Sequence, residues 1–161
     1  MGPKQVTPPC CLVCLRLLGK DEDPPLEPGS IPSCGGCGWL CCTPQCATEH
    51  AAWPECGVLR RAPAPSLTSL AAAHAQYQLI APLRYLLAET DDLKQLPSHV
   101  EELRKSPIYR TTMRDVVQVL KDGYAVEADA EAILDACSVV HANAFEVRIA
   151  KDVRARGLYL L

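Results

Sequence analysis

The sequence lacks both a long apolar run and a secretory signal. No stretch approaches the roughly 20 apolar residues that a membrane-spanning helix needs. The N-terminal segment places Arg16 inside its only apolar run and offers no cleavage site of small residues. We therefore expect an intracellular protein of the nucleus or cytoplasm, with no membrane attachment.

An excess of basic charge is also lacking. The 161 residues carry 16 Lys and Arg against 19 Asp and Glu, a net charge of -3. Through Arg60 there are four basic and six acidic residues, and after it twelve basic and thirteen acidic. Binding nucleic acid through its phosphates needs a basic surface. Direct nucleic-acid binding is therefore not expected, and protein partners are the better prediction.

Cysteine, in contrast, is abundant and clustered, with nine of the ten between Cys10 and Cys56. A reduced intracellular chain has little use for so many thiols unless a metal holds them, which favours zinc over a disulfide framework. With one histidine they give four ligand pairs: Cys11 and Cys14, Cys34 and Cys37, Cys42 and Cys46, His50 and Cys56. Eight ligands suffice for two closed zinc sites, which are structural because no coordination position stays open.

The pairing of these ligands can be predicted if pairs alternate between two metals, as in a cross-brace. Cys11, Cys14, Cys42 and Cys46 then hold one zinc, and Cys34, Cys37, His50 and Cys56 hold the other. Thr43 and Pro44 predict the start of a short helix that carries Cys46 and His50 one turn apart. That spacing also fits a single metal bound by both. Cys10 and Cys41 could each replace a neighbouring ligand.

Proline divides the chain, since eleven of the fourteen lie at or before Pro65. The run DEDPPLEPGSIP over 21–32 predicts a flexible loop between the first two ligand pairs. Metal sites tolerate such insertions because the entropy of loop closure grows only logarithmically with length. The run RRAPAPS over 60–66 predicts a short extended linker.

Helical periodicity follows the linker. Apolar residues that include Leu67 and Leu70 line one face through Leu87, where Pro82 is expected to kink or divide the helix. Ser98 with Glu101 predicts a capping box at the next helix.

Two further helices and two strands complete the expected elements. Ser106 and Pro107 start a helix that ends at Asp122 and Gly123. The last helix carries an apolar stripe in which Cys137 is expected to be a buried core thiol. The stretches 144–149 and 157–161 predict strands because they are rich in β-forming residues.

These motifs resemble a known family. The segments CLVC, CGGCGWLCCTPQC and the Glu55-Cys56 dipeptide look like the MYND zinc finger of arthropod SET- and MYND-domain proteins. YQLIAPLRYLL, LPSHVEELRKS, ILDACSVVHANAFEV and RGLYLL are similar to the helical insert and first SET strands of that family. The resemblance implies a small α+β fold, a two-zinc cross-brace finger followed by an α-helical domain with short terminal strands. It places the finger at 10–57, a linker at 58–65, the helical SET-insert region at 66–142 and the start of a truncated SET core at 143–161.

The sequence departs from the family in ways that bear on activity. The family's histidine stands four residues before the last finger cysteine, at Ala52 here, and His50 lies two residues earlier. The glycine-rich cofactor strand, the Asn-His-Ser-Cys segment and the tyrosine-bearing strands have no counterpart, so we expect a relative of protein-lysine methyltransferases that is inactive as this chain. Among the family's S-adenosylmethionine contacts only Asn143 has a match, and that cofactor is expected only if the missing segments are present.

Three functions remain open at this point. The resemblance favours a SET- and MYND-family protein that acts through protein–protein interaction and can take proline-rich peptides. A stand-alone MYND adaptor would recruit partners through the finger alone. A RING-like ubiquitin ligase also uses a cross-brace, but its last ligand pair is two cysteines spaced by two residues, and Cys56 has no such companion.

Overall fold

The computed structural model describes residues 2–3, 10–18, 31–64, 76–88, 90–150 and 153–158. Helices dominate this part of the chain: α1 (Pro44–Ala51), α2 (Pro54–Leu59), α3 (Ile80–Leu87), α4 (Asp91–Lys94), α5 (Val100–Lys105), α6 (Arg114–Gln118) and α7 (Ala130–Asn143). Helix α6 continues at both ends into π-helical segments, Tyr109–Met113 and Val119–Gly123. The strands are β1 (Gly2–Pro3), β2 (Ala144–Ala150) and β3 (Val153–Leu158). Among these helices, none combines the length and apolar composition that crossing a bilayer requires.

Two predicted helix starts are confirmed by their caps. The Thr43 side chain accepts a hydrogen bond from the Cys46 N–H at 3.1 Å, and Pro44 is the first residue of α1. Ser106 Oγ accepts one from the Tyr109 N–H at 3.3 Å, where the first π-helical segment begins. The N–H groups of a first helical turn have no acceptor within the helix, so these hydroxyls stabilise the starts.

The capping box predicted at Ser98 is wrong. Helix α5 begins at Val100, the residue before it is His99, and no side chain caps it. The His99 N–H donates instead to the Ser138 Oγ of α7 at 3.0 Å. A tertiary contact therefore fixes the start of this helix where the sequence predicts a local one.

Pro82 lies in the first turn of α3, two residues after the helix begins. At that position its missing N–H removes no intrahelical hydrogen bond, so the proline is tolerated inside the helix. The earlier part of the predicted stripe, including Leu67 and Leu70, lies outside the described residues.

The strands form one antiparallel sheet in the order β1-β3-β2. Strand β2 confirms the prediction over 144–149, with Ala144 opposite Leu158. Strand β3 begins at Val153, earlier than the predicted 157–161, and positions 159–161 lie outside the described residues. Strand β1 pairs Gly2 with Arg156. The sequence does not predict β1, because two residues carry no alternation of polar and apolar positions.

Buried side chains of the cysteine-rich segment and of the helices form one contiguous core. Cys137 is confirmed as a core thiol, 1% exposed, and burial raises its pKa to about 12. Val58 and Leu59 are buried in the last turn of α2, so that helix extends into the range 58–65 predicted as a linker. The cysteine-rich segment and the helices therefore share their apolar interior.

Tyr77 joins the two parts of this core. Its hydroxyl donates to the Cys10 carbonyl at 2.8 Å and accepts from the Cys10 N–H at 3.2 Å. Its ring packs edge-on against the Trp39 ring, with 5.4 Å between the centroids. All three residues are fully or almost fully buried. One phenol thus satisfies both backbone groups of a residue next to the first ligand pair.

Replacing Tyr77 with Phe is expected to lower the free energy of unfolding by about 1–3 kcal/mol, because both buried backbone groups of Cys10 lose their partner. Tyr85→Phe is the matched control, since its hydroxyl makes a single longer bond of 3.3 Å to the Leu93 carbonyl in a partly exposed position. Urea unfolding of both variants measures the difference. Equal effects of the two substitutions would contradict the role assigned to Tyr77.

Candidate metal centre

The two Cys-x2-Cys loops have the same backbone construction. In each, the N–H of the first cysteine, Cys11 or Cys34, donates to the carbonyl five residues later at 2.8 Å. The residue four positions on donates back to that cysteine's carbonyl, at 2.9 Å from Leu15 and 2.8 Å from Gly38. Leu15 and Gly38 both adopt left-handed backbone angles, with φ of 64° and 77°. The sequence supplies the glycine that this turn favours in the second loop only.

Eight side chains converge in two groups: they come from these loops, from helices α1 and α2, and from Cys42 just before α1. The four-cysteine group consists of Cys11, Cys14, Cys42 and Cys46, and the histidine group of Cys34, Cys37, His50 and Cys56. Within each group the ligand atoms all lie within 4.8 Å of one another. The first and third pairs in the chain meet, and so do the second and fourth. Each group could hold one zinc ion.

The distances inside the groups fit tetrahedral zinc. With zinc–sulfur bonds of about 2.3 Å, tetrahedral geometry separates two sulfur atoms by about 3.8 Å, and a sulfur and a nitrogen ligand by about 3.5 Å. In the four-cysteine group the Sγ atoms of Cys42 and Cys46 are 3.7 Å apart, and those of Cys14 and Cys42 are 3.3 Å apart. In the histidine group Cys34 and Cys56 are 3.6 Å apart. The donor set, thiols with one imidazole, is also the one that zinc prefers.

Helix α1 contributes one ligand to each group. Cys46 and His50 lie one turn apart on it, yet Cys46 belongs to the four-cysteine group and His50 to the histidine group. The single-metal alternative for these two residues is therefore not the arrangement observed. His50 is fully buried, whereas Ala52, where the family has its histidine, is exposed after the end of α1.

The orientation of the His50 ring is set by Glu55. His50 Nε2 lies 3.0 Å from Glu55 Oε1, and Nδ1 lies 3.6 Å from Cys37 Sγ. A carboxylate at Nε2 keeps the proton there and leaves the Nδ1 lone pair facing the cysteines. Nδ1 is thus the atom of His50 that would bind zinc.

Arg84 completes this arrangement from helix α3. Its Nε and one terminal nitrogen donate to the two Glu55 carboxylate oxygens, at 2.5 and 2.6 Å. Burial raises the pKa of Glu55, but the hydrogen bonds from Arg84 and His50 outweigh it and hold the pKa below its usual value. The buried carboxylate is therefore charged and paired. The sequence offers one indication of the contact between Arg84 and Glu55. Arg84 is the single charged residue in the apolar run of α3, and a charge in such a run is expected to have a partner.

The spare thiols Cys10 and Cys41 join neither group among the described residues. Burial raises the pKa of Cys10 to about 12. The interaction of the neighbouring Cys41 and Cys11 thiols raises the pKa of Cys41 and lowers that of Cys11 to about 4, while Cys41 Sγ donates to the Trp39 carbonyl at 3.9 Å. Cys41 thus lies beside a candidate ligand, and Cys11 is the cysteine placed in the group.

The groups differ in burial. All four residues of the histidine group are buried, whereas Cys14 is exposed and Cys46 half-buried in the four-cysteine group.

Asn143 lies apart from both groups, at the end of α7, and its amide donates to the Pro97 carbonyl at 2.8 Å and to the Val139 carbonyl at 2.9 Å. The bond to Pro97 ties α7 to the turn before α5. A cofactor contact by Asn143 stays a prediction.

A groove of about 480 Å³ opens beside the four-cysteine group and the histidine group. It is lined mainly by apolar side chains, together with Glu55 and Arg84; the apolar ones include Val13, Leu15, Trp53 and Leu87. The Arg84 guanidinium lies over the Trp53 ring, 4.9 Å from its centroid. The groove therefore joins the first ligand loop, the start of α2 and the end of α3.

Comparison with protein-family models, with curated proteins and with solved structures finds no match for this chain. The structure alone therefore supports a class of protein and not a particular family. It has two groups of cysteine and histidine side chains that could each bind zinc, compatible with a MYND-like finger and with a zinc-finger protein more generally.

The adjacent glycines of the second loop give a direct test of the histidine group. A Cβ at Gly36 would lie 2.7 Å from Cys56 Sγ, whereas a Cβ at Gly35 meets nothing within 4 Å. Gly36→Ala is expected to lower the free energy of unfolding by about 1–3 kcal/mol, because Cys56 must move away from the other ligands. Gly35→Ala should stay within about 0.5 kcal/mol of the wild type. Denaturant unfolding of both variants in zinc buffer measures this, and equal stabilities would contradict the packing described.

Proposed function

We propose that the chain is a two-zinc finger protein of the MYND type, related to the SET- and MYND-domain family, that acts by binding other proteins. The observation that carries the proposal is the alternating order of the ligand pairs in two compact groups. Such an order ties each loop across the next, which is how a segment too small for a full core gains stability from metal.

Zinc in this proposal is structural. The residues that would hold it are the four-cysteine group and the histidine group, and each supplies a complete set of four ligands. Bound there, zinc provides a crosslink between loops without a free coordination position for water or substrate. The relation to lysine methyltransferases rests on the sequence resemblance, and an S-adenosylmethionine contact by Asn143 belongs to that part of the proposal.

The groove beside Trp53 supports a peptide as the ligand. A partly exposed tryptophan among apolar side chains is the kind of surface on which proline-rich segments dock, because their extended helix is already ordered before binding. The charge balance of the chain, -3, agrees with a protein partner. An adaptor that uses the finger alone is the alternative, and it predicts that binding needs no residue beyond Pro65.

Metal analysis of the purified protein is expected to find two zinc ions per chain. Cys34→Ser removes a buried ligand of the histidine group and should leave one tightly bound zinc. Cys137→Ser is the matched control, because that buried thiol belongs to neither group, and it should keep both ions. Native mass spectrometry counts the ions in each variant; one zinc or none in the wild type would sink the proposal.

Trp53→Ala is expected to weaken binding of a proline-rich peptide about 30-fold, the effect of losing an aromatic anchor worth about 2 kcal/mol. Gln45→Ala, at an exposed position of α1, is the control and should bind like the wild type. Fluorescence polarisation with the peptide and with its alanine-substituted form gives the affinities, and zinc content is measured on each variant. Equal affinity of the two peptides would refute the proline-rich ligand.

A further inference from the structure

Arg84 contacts the surroundings of both ligand groups, the four-cysteine group and the histidine group. Besides its two bonds to Glu55, a terminal nitrogen donates to the Leu12 carbonyl at 2.7 Å. Leu12 lies between Cys11 and Cys14, inside the first ligand loop, and is fully buried. The Arg84 side chain itself is only 18% exposed.

The contact toward the histidine group runs through two residues. Arg84 holds both oxygens of Glu55, and Glu55 holds His50 Nε2 at 3.0 Å. Two parallel bonds from a guanidinium fix a carboxylate in position and orientation, which a single bond does not. The direction in which His50 Nδ1 points is therefore set by a residue on helix α3.

The contact toward the four-cysteine group is direct. The Leu12 carbonyl belongs to the turn that places Cys11 and Cys14, so a bond to it restrains the backbone of that turn. An exposed ion pair contributes little, about 0–1 kcal/mol. The ion pair between Arg84 and Glu55 is different, since Glu55 is only 3% exposed. Without Arg84 the Glu55 charge would be left unpaired in the interior.

We propose that Glu55 and Arg84 are positioning residues for the two zinc ions: Glu55 orients His50 for the histidine group, and Arg84 couples that group to the four-cysteine group. The inference rests on the proposed zinc binding and deepens it. It makes retention of both metals depend on helix α3, outside the cysteine-rich segment. Loss of an outer carboxylate partner of a metal-bound histidine weakens metal binding about 10- to 100-fold.

The test compares four variants of the full chain loaded with zinc. Glu55→Gln should release the zinc of the histidine group about 10- to 100-fold more readily, and the other zinc as in the wild type. Arg84→Met should release both zinc ions more readily. Arg61→Met is the control, because the hydrogen bonds described for the Arg61 side chain go to the Tyr124 and Ala125 carbonyls, at 3.4 and 2.7 Å, so it should release neither. Arg84→Lys keeps the positive charge but cannot donate two parallel hydrogen bonds to Glu55, so it should release both zinc ions more readily, though less than Arg84→Met. It also tests the inference if Arg84→Met does not fold.

Two readouts distinguish positioning from general stability. Native mass spectrometry follows the number of zinc ions per chain during competition with a chelator. Alkylation after partial release shows which group has opened, since Cys34 reports on the histidine group and Cys11 on the four-cysteine group.

The outcomes separate the two proposals. A wild-type chain without two zinc ions would overturn the zinc proposal, and this inference with it. A two-zinc wild type whose Arg84→Met variant releases metal no faster than Arg61→Met would overturn the inference alone. Equal opening of both groups in Glu55→Gln would refute the selective role of Glu55.

Discussion

The close approach of eight metal-binding side chains is the constraint on which the rest of this structure depends. Ligand atoms within 4.8 Å of one another repel each other as soon as the thiols lose their protons, and a divalent cation turns that repulsion into attraction. Around the groups, hydrogen bonds from the backbone and from side chains restrain several of these ligands. The bond between Glu55 and His50 is of this kind, and so are the backbone bonds of Cys11 and Cys34.

The boundary between finger and helices is less sharp in space than along the sequence. Tyr77 and Arg84 both reach into the cysteine-rich segment, to the backbone of Cys10 and of Leu12. The apolar core is continuous across the same boundary. A small cysteine-rich segment gains stability when a neighbouring helix covers it, because small domains bury too little surface alone. The helices are thus part of the environment of the two ligand groups.

Much of the centre could be predicted from residue spacing, and its supporting contacts could not. Spacing and residue type indicate the ligand pairs and the cap at Thr43, because both depend on neighbours in the chain. Glu55 and Arg84 meet across 29 positions, and no local pattern specifies such a contact. The Ser138 hydroxyl, and not the predicted Ser98, supports the start of helix α5 by accepting a hydrogen bond from the His99 N–H. Such a contact between distant residues has no local sequence pattern either. The short strand Gly2–Pro3 likewise exists only through its partner β3.

The segments that connect the ligands differ in how well they tolerate changes in length, because Cys46 and His50 are joined by helix α1. Deleting one residue between Cys46 and His50 would turn one ligand about 100° around the axis relative to the other and shift it by about 1.5 Å. The two groups could not then both keep their geometry while the helix stays intact. Between the first and second pairs, in contrast, added residues cost only a slowly growing closure entropy. Natural variation in length should therefore accumulate between Cys14 and Cys34 and be absent from α1.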